Sequence, residues 1–327
     1  MGYAKNNTDA VRAKKSLGQH FLTDLNIARR IAEAVGQGSG RNADSDIEYP
    51  DRSVGRCNVL EIGGGMGVLT RFLLERTDIT LWGIEIDRES IAYMREHFPD
   101  FATGGPDGTG RLIEGDFLKF DLHDFCQKCT DARLATEPDE EHTGSYVTNR
   151  ATSVTQQAGV FHGNPHGVRI VGNFPYNISS QIFFKVLENR DLVPEVVGMI
   201  QREVAQRIAE PPGSRTYGIL SVLLQAWYDI EYLFTVSEGV FSPPPKVKSA
   251  VVRLTRNSTR ELGCDEVLFV KVVKAAFGQR RKMIRNSLRS VFGDFGGAEH
   301  PFFTTRAEQL SVAQFVELTN WVSAHTR

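Results

Sequence analysis

The chain has 327 residues, of which 41% are hydrophobic and 24% are charged, and its formal net charge is −2. A chain of this length and apolar content can form one large domain and one small one. It contains no apolar run of about 18 residues, the length needed to span a membrane, and its first residues lack the apolar stretch of a secretory signal. We therefore expect a cytoplasmic protein that makes no contact with a membrane.

The four cysteines are too few and too scattered for a disulfide framework. Cys126 and Cys129 form a Cys-x-x-Cys pair with His123 and His142 nearby, a combination that occurs in zinc sites. A single pair without a second one is weak evidence, so we expect ordinary thiols and no bound metal.

The first predicted strand ends in a glycine-rich turn. A predicted helix at 25–35 and a polar insertion at 36–56 precede this strand, and a helix at 68–75 follows the turn. Gly63 and Gly65 would allow the backbone to approach a ligand closely.

The second predicted strand ends at Glu85, about 20 positions after that turn. An acidic residue at this distance typically binds the hydroxyl groups of a ribose. The spacing resembles that of nicotinamide dehydrogenases, but the turn lacks the third glycine of a pyrophosphate-binding loop. A nucleoside-sized ligand therefore fits better.

Two further predicted strands also end in polar residues. The third ends at Asp116, whose carboxylate can accept a hydrogen bond from an adenine amino group, and the fourth leads into Asn173. Because ligands bind outside the carboxyl ends of the strands in an open α/β sheet, we expect these four strand ends to line one crevice.

The segment Asn173-Phe174-Pro175-Tyr176 has the groups that methylation of an adenine amine needs. That amine is a poor nucleophile because its lone pair is delocalised, so acceptors must hold its N–H groups. The Asn173 side-chain oxygen and the Phe174 carbonyl are two such acceptors. Pro175 would stiffen the turn, and Tyr176 offers a face on which a base can stack. The alternative is an ordinary turn after a strand.

The remaining pattern predicts an α/β fold with a doubly wound, mostly parallel sheet that includes one antiparallel strand. Helices are predicted at 179–188, 203–209 and 217–226, and strands at 196–200, 227–234 and 250–254. After residue 256 the pattern becomes entirely helical, with helices at 265–277, 280–292, 305–309 and 312–325. We therefore predict a catalytic domain at 1–256, with a second insertion at 130–167, and a small helical domain at 257–327.

The helical domain contains a basic stretch that predicts RNA binding despite the negative net charge. Residues 271–289 include seven lysines and arginines and no acidic residue. We expect Arg280, Arg281, Lys282 and Arg285 to contact phosphates, whereas the alternative is a solvated helix face. Phe241, in the proline-rich segment 241–245, is predicted either to face Tyr176 across a bound base or to pack in the core.

Several segments occur in the order that is typical of one protein family. These segments are 15–24, 60–67, 83–87, 115–116, 172–179, 241–250 and 277–282. On them, the chain resembles the ribosomal RNA adenine N6-dimethyltransferases, and most closely the bacterial members that act on small-subunit (16S) rRNA.

The resemblance implies a Rossmann-like class I methyltransferase fold with S-adenosyl-L-methionine as its cofactor. It also implies dimethylation of two adjacent adenines in the 3′-terminal hairpin loop of small-subunit rRNA, within an immature 30S particle, by a monomer. Where the family has Asn and Gly-Pro-Gly, this chain has His20 and Gly63-Gly64-Gly65. The cofactor contacts that the resemblance implies are His20, Leu22, Gly63, Gly65, Glu85, Asp116 and Asn173.

Two alternatives remain at the level of the sequence. The first is a large-subunit rRNA adenine N6-methyltransferase of the macrolide-resistance type, which shares the catalytic turn. The second is a non-catalytic ribosome assembly or transcription factor on the same fold. The intact set of Glu85, Asp116 and the segment 173–176 favours an active enzyme.

Overall fold

The computed structural model describes residues 11–37, 56–104, 110–134 and 167–326, without the side chains of 131–134. Most of the two predicted insertions lies outside these ranges, and so does His142. The first residues of the second predicted insertion belong instead to a helix that ends at Leu134.

The described part of the chain alternates strands and helices before it becomes helical. In chain order the elements are β1 (Phe21–Leu22), α1 (Leu25–Ala34), β2 (Cys57–Ile62), α2 (Val68–Leu74), β3 (Ile79–Glu85), α3 (Arg88–His97), α4 (Pro99–Thr103), β4 (Leu112–Glu114), α5 (Leu122–Leu134), β5 (Val168–Asn173), α6 (Ser179–Glu188), β6 (Glu195–Gln201), α7 (Arg202–Ala209), α8 (Ile219–Gln225), β7 (Tyr228–Val236), β8 (Phe241–Ser242), β9 (Ser249–Arg256), α9 (Glu266–Gly278), α10 (Ile284–Phe292) and α11 (Val312–His325).

Among the described residues, the main sheet has seven strands in the order β4-β3-β2-β5-β6-β9-β7. The strands from β4 to β6 pair in parallel, whereas β9 is antiparallel to both of its neighbours, β6 and β7. This confirms the predicted parallel sheet with one antiparallel strand. A separate two-stranded pair, β1 with β8, was not predicted.

The central strands are apolar on both faces because helices cover both sides of the sheet. On β2, Val59 belongs to one buried cluster and Leu60 to the other, and Val197 and Val196 on β6 divide in the same way. Helices α1 and α2 pack on the first face, whereas α6 and the helices after β9 join the cluster on the second face. The doubly wound arrangement leaves the carboxyl ends of β2, β3 and β5 open at one edge.

The helical region begins after Arg256 and differs from the prediction at one important point. Helix α10 starts at Ile284 rather than at residue 280, with Met283 in an extended conformation at its N-cap. Arg280, Arg281 and Lys282 therefore lie in the connection between α9 and α10, and Arg285 alone of the four predicted RNA contacts lies in the helix. The division into two domains at residue 256 stays a prediction.

Candidate active site at the carboxyl edge of the sheet

A cavity lies where the predicted strand ends meet. It is lined by Gly63 and Gly65 after β2, Glu85 at the end of β3, Asp116 after β4 and Asn173 at the end of β5. The structure thus brings together the glycines and the three polar residues that the sequence placed at four separate strand ends.

The glycine-rich turn has a backbone that only glycine adopts easily. Gly63 and Gly65 have φ angles of 71° and 55°. A Cβ atom on Gly63 would meet no described atom within 4 Å, so the backbone at this position faces open space. A Cβ atom on Gly65 would lie 3.0 Å from the ring of Phe21. The turn therefore exposes bare backbone to the cavity on one side and packs closely on the other.

Glu85 joins the turn after β2 to the end of β3. Its Oε1 accepts the backbone N–H groups of Ile86 and Asp87 at 2.9 Å each, and its Oε2 accepts the N–H of Gly65 at 3.1 Å. The residue is 5% exposed, and this burial raises the pKa of its carboxyl group against the opposing effect of the three N–H groups. A carboxylate has about four lone-pair positions, so roughly one remains for a ligand.

Asp116 follows β4 and begins a single turn of 3₁₀ helix. Its Oδ1 accepts the N–H of Leu118 at 3.0 Å, and its Oδ2 lies 3.9 Å from the Lys119 ammonium group. The Lys185 ammonium group donates to the Leu118 carbonyl at 3.1 Å and so ties this turn to α6. Asp116 keeps acceptor capacity towards the cavity that it lines.

The Asn173 amide has a defined orientation. Its Nδ2 donates to the backbone carbonyl of His20 at 2.8 Å. Because a carbonyl oxygen can only accept, the amide nitrogen must face His20, and Oδ1 is left available to accept from another group. The next residue, Phe174, is 1% exposed, and its N–H donates to the Met199 carbonyl at 3.0 Å. The buried ring and this hydrogen bond hold the turn against β6.

Tyr176 contributes a half-buried ring to the cavity. Its hydroxyl lies 2.5 Å from the Ser249 hydroxyl. Its ring centroid is 5.3 Å from that of His20, with a tilt of 33° between the planes. Burial raises the pKa of Tyr176 above its ordinary value, partly opposed by the hydrogen bond to Ser249.

The N-terminal segment 17–21 covers one side of the cavity. The His20 Nδ1 lies 2.8 Å from the Pro243 carbonyl, which requires a proton on Nδ1. Leu22 is 5% exposed and borders a smaller adjoining cavity that also contacts Gly63 and Asn173. His20 and Leu22, two of the predicted cofactor contacts, therefore border different cavities, His20 the larger one and Leu22 the smaller one.

Sequence reasoning missed the contacts that hold this segment in place. The Asp87 carboxylate, 2% exposed, accepts from the Lys14 ammonium group and from Gln19 Nε2. About seventy positions of sequence separate Asp87 from each of these two partners. The only local signal of these contacts was the acidic residue two positions after Glu85.

Glu61, on β2, is another buried carboxyl group that the sequence did not single out. It is 2% exposed, borders the smaller cavity and accepts from the Thr70 hydroxyl at 2.6 Å. Burial raises its pKa to about 7, partly opposed by the Thr70 hydrogen bond.

Phe241 does not line the cavity opposite Tyr176, which was the first of its two predicted placements. The residue is 4% exposed, belongs to the buried cluster with Leu22 and Val251, and does not line the cavity. Pairing of β8 with β1 places Phe241 opposite Leu22 and turns its ring into the core. The alternative of core packing therefore describes this structure.

The four predicted RNA contacts are not equivalent. Arg280 donates to the carbonyls of Arg215 and Tyr217, and Arg285 forms an ion pair with Glu299. Arg281 and Lys282 are exposed, and their side chains make no ion pair with any residue within the described ranges. Of these four residues, the two without an ion pair to any described residue therefore lie in the connection between α9 and α10.

Cys126 and Cys129 are buried on α5, and burial raises the pKa of their thiols to about 11 and about 12. Within the part of the chain that the structure describes, no group of three or more potential metal ligands occurs.

None of the described helices is both long enough and apolar enough to cross a membrane.

Comparison with known proteins identifies the family. The family model for ribosomal RNA adenine dimethylase matches residues 10–324. A protein from Bacteroides thetaiotaomicron named ribosomal RNA small subunit methyltransferase A is 49% identical over 95% of this chain and 94% of its own length. A protein of the same name from Cytophaga hutchinsonii is 45% identical over 96% of this chain and 99% of its own length.

Two solved structures share the fold. A dimethyladenosine transferase from Plasmodium falciparum superposes with a TM-score of 0.59 and 20% identity, over 94% of this chain and 100% of that chain. A 23S rRNA methyltransferase, ErmE, gives a TM-score of 0.52 and 21% identity, over 91% of this chain and 99% of that chain. Because the family model matches nearly the whole chain, the chain belongs to the ribosomal RNA adenine dimethylase family.

Proposed function

We propose that this protein uses S-adenosylmethionine to dimethylate the N6 amino group of adenines in small-subunit rRNA. The observation that carries the proposal is the Asn173 amide, whose nitrogen is bound to the His20 carbonyl and whose oxygen remains available beside the cavity. The names and the 45–49% identity of the bacterial relatives support the same reaction and the same ribosomal subunit.

The residues around the cavity fit the proposed cofactor. Gly63 presents backbone with open space where a Cβ atom would stand, so a ligand can lie against the turn. Glu85 keeps acceptor capacity for a ribose hydroxyl, and Asp116 keeps it for an adenine amine. The bound cofactor supplies a methyl group on a positively charged sulfur, which is already activated for transfer.

The protein residues then act mainly by orientation. Asn173 Oδ1 and the Phe174 carbonyl accept the N–H groups of the target amine and so direct its lone pair towards the methyl donor. Tyr176 stacks on the extruded base. The chain supplies no general base in this scheme, because the proton is acidic after transfer and leaves to solvent. For the second methylation, the remaining N–H rotates to one of the same two acceptors.

The proposed target is the pair of adjacent adenines in the 3′-terminal hairpin loop, within an immature 30S particle in the cytoplasm. Arg281 and Lys282 would contact phosphates there, with Arg280 and Arg285 beside them. We propose that the protein acts as a monomer, because one chain contributes all the residues assigned to the site.

A test of the function must distinguish the two ribosomal subunits. The purified protein is incubated with labelled S-adenosylmethionine and with 30S or 50S particles from cells that lack the corresponding modification, and the modified base is then mapped. We expect dimethyladenosine in the 3′-terminal loop of the small-subunit rRNA. Labelling of the large-subunit rRNA alone would favour the resistance-type methyltransferase. Failure to bind the cofactor would favour a non-catalytic assembly factor.

A further inference from the structure

The Tyr176 hydroxyl has a partner that the proposed mechanism does not use. It lies 2.5 Å from the hydroxyl of Ser249, a residue that is completely buried. Since both groups can donate and accept, this contact satisfies the polar atom of Ser249 and fixes the far end of the tyrosine ring.

Ser249 is held rigidly because it begins a strand inside the sheet. It pairs with Gln201 on β6 and with Val236 on β7, so neighbours on both sides restrict its backbone. A hydroxyl on such a strand has a position that is set by the sheet rather than by a loop. This hydroxyl can therefore fix the position of an aromatic ring at the edge of the cavity.

The ring of Tyr176 is also supported along its side. His20 lies against it at 5.3 Å between centroids, and Pro243 in turn accepts a hydrogen bond from His20 Nδ1. Pro243 and Ser249 flank the segment that joins β8 to β9. The same short segment thus fixes the ring through its hydroxyl and supports it through His20.

A stacking residue acts only if its ring plane matches the plane of the bound base. The energy of such a stack depends on the distance and the tilt between the two rings, so a loose ring would orient the base poorly. A phenylalanine would offer the same stacking face without the hydroxyl. The Tyr176 hydroxyl is engaged with Ser249 and therefore serves the orientation of the ring.

We propose that Ser249 is a positioning residue for base methylation, which holds the Tyr176 ring in the plane that receives the target adenine. This inference rests on the proposed function, because it assigns the stacking role to Tyr176. Ser249 acts through Tyr176, because it lines neither the cavity nor the smaller adjoining one.

The test compares Ser249→Ala, Tyr176→Phe and the double variant under single-turnover conditions with undermethylated small-subunit particles. Loss of one hydrogen bond is expected to lower the rate of methyl transfer about two- to tenfold. The dissociation constant for S-adenosylmethionine, measured by calorimetry, should stay unchanged. Because both single variants remove the same interaction, the double variant should be no slower than the slower of the two.

A control removes a hydrogen bond of the same chemistry at an exposed position. Tyr232 and Thr235 on β7 also form a hydroxyl pair, at 2.7 Å, and neither residue lines the cavity. Thr235→Ala should therefore leave both the transfer rate and the cofactor affinity at the wild-type values.

Several results would overturn the inference. A native transfer rate in Ser249→Ala would do so, as would additive losses in the double variant or a parallel loss of cofactor affinity, which would indicate general damage to the fold. If Ser249→Ala does not fold, the transfer rate of Tyr176→Phe decides the question, and a wild-type rate in that variant refutes the positioning role. A wild-type protein that transfers no methyl group to rRNA would instead refute the proposed function, and the inference with it.

Discussion

Replacing Glu85 with glutamine is the sharpest test of where the cofactor binds. The wild-type carboxylate accepts three backbone N–H groups and keeps about one lone-pair position for a ribose hydroxyl. In Glu85→Gln, the amide oxygen can replace Oε1 and accept from Ile86 and Asp87. The amide NH₂ group then faces the Gly65 N–H, donor against donor, and can no longer accept from a ribose.

The expected loss follows from these contacts. One charge-assisted hydrogen bond contributes about 1.5 to 3 kcal/mol, so the dissociation constant for S-adenosylmethionine should rise about tenfold to a hundredfold. Calorimetry measures this directly. Glu114 is a matched control, because it pairs with Glu85 in register on β4 but is exposed and does not line the cavity. Glu114→Gln should bind the cofactor with native affinity.

The pH dependence of binding gives an independent check on the same residue. Burial raises the pKa of Glu85, so as the pH falls its protonation should weaken cofactor binding earlier than it would for an exposed glutamate. Binding by Glu85→Gln should lack this component. If the folded variant binds S-adenosylmethionine as tightly as the wild type, Glu85 is not a cofactor ligand and the cofactor site has been misassigned.

Three further predictions concern catalysis, RNA binding and stability. Asn173→Ala should lower the rate of methyl transfer roughly 10² to 10³-fold while cofactor binding changes much less, and near-native turnover on rRNA would remove this residue from the mechanism. Replacing Arg281 and Lys282 with glutamine should lower the log–log salt slope of 30S binding by about 1.4 to 1.8, and an unchanged slope would place the RNA surface elsewhere. Because the folded-state pKa of Glu61 is raised from 4.5 to about 7, its contribution to stability is present below pH 4.5 and is lost as the pH rises towards about 7. Glu61→Gln should remove up to about 3 kcal/mol of this pH-dependent change in the free energy of unfolding, measured with urea. Identical pH profiles for the variant and the wild type would contradict the burial argument.

The sequence predicts the strand ends around the cavity well because their signals are local. Branched apolar residues followed by glycine or a polar residue identify the ends of β2, β3 and β5 without any knowledge of tertiary contacts. The rule that ligands bind at the carboxyl edge of an α/β sheet then brings Glu85, Asp116 and Asn173 together. The structure places all three residues on one cavity.

The pairing that holds segment 17–21 over one side of the cavity could not be predicted in the same way. Strands β1 and β8 have two residues each, too few for a periodic pattern, and they pair across more than two hundred positions of sequence. This pairing determines that Phe241 is buried, and it brings His20 next to Pro243. An aromatic residue in a proline-rich segment is compatible with either a core or a binding role, and only the tertiary pairing decides between them.

The basic stretch shows a related limit of sequence reasoning about charge. Its composition shows many cations and no acids, but the residues that neutralise or engage them come from other segments. Glu299 pairs with Arg285, and backbone carbonyls of 215 and 217 bind Arg280, so these two side chains lose part of their freedom to follow a phosphate. Arg281 and Lys282 lie in an interhelical connection, where they remain solvated and can exchange water for a phosphate. Under the proposed function, counterion release on RNA binding should therefore depend more on Arg281 and Lys282 than on Arg280 and Arg285.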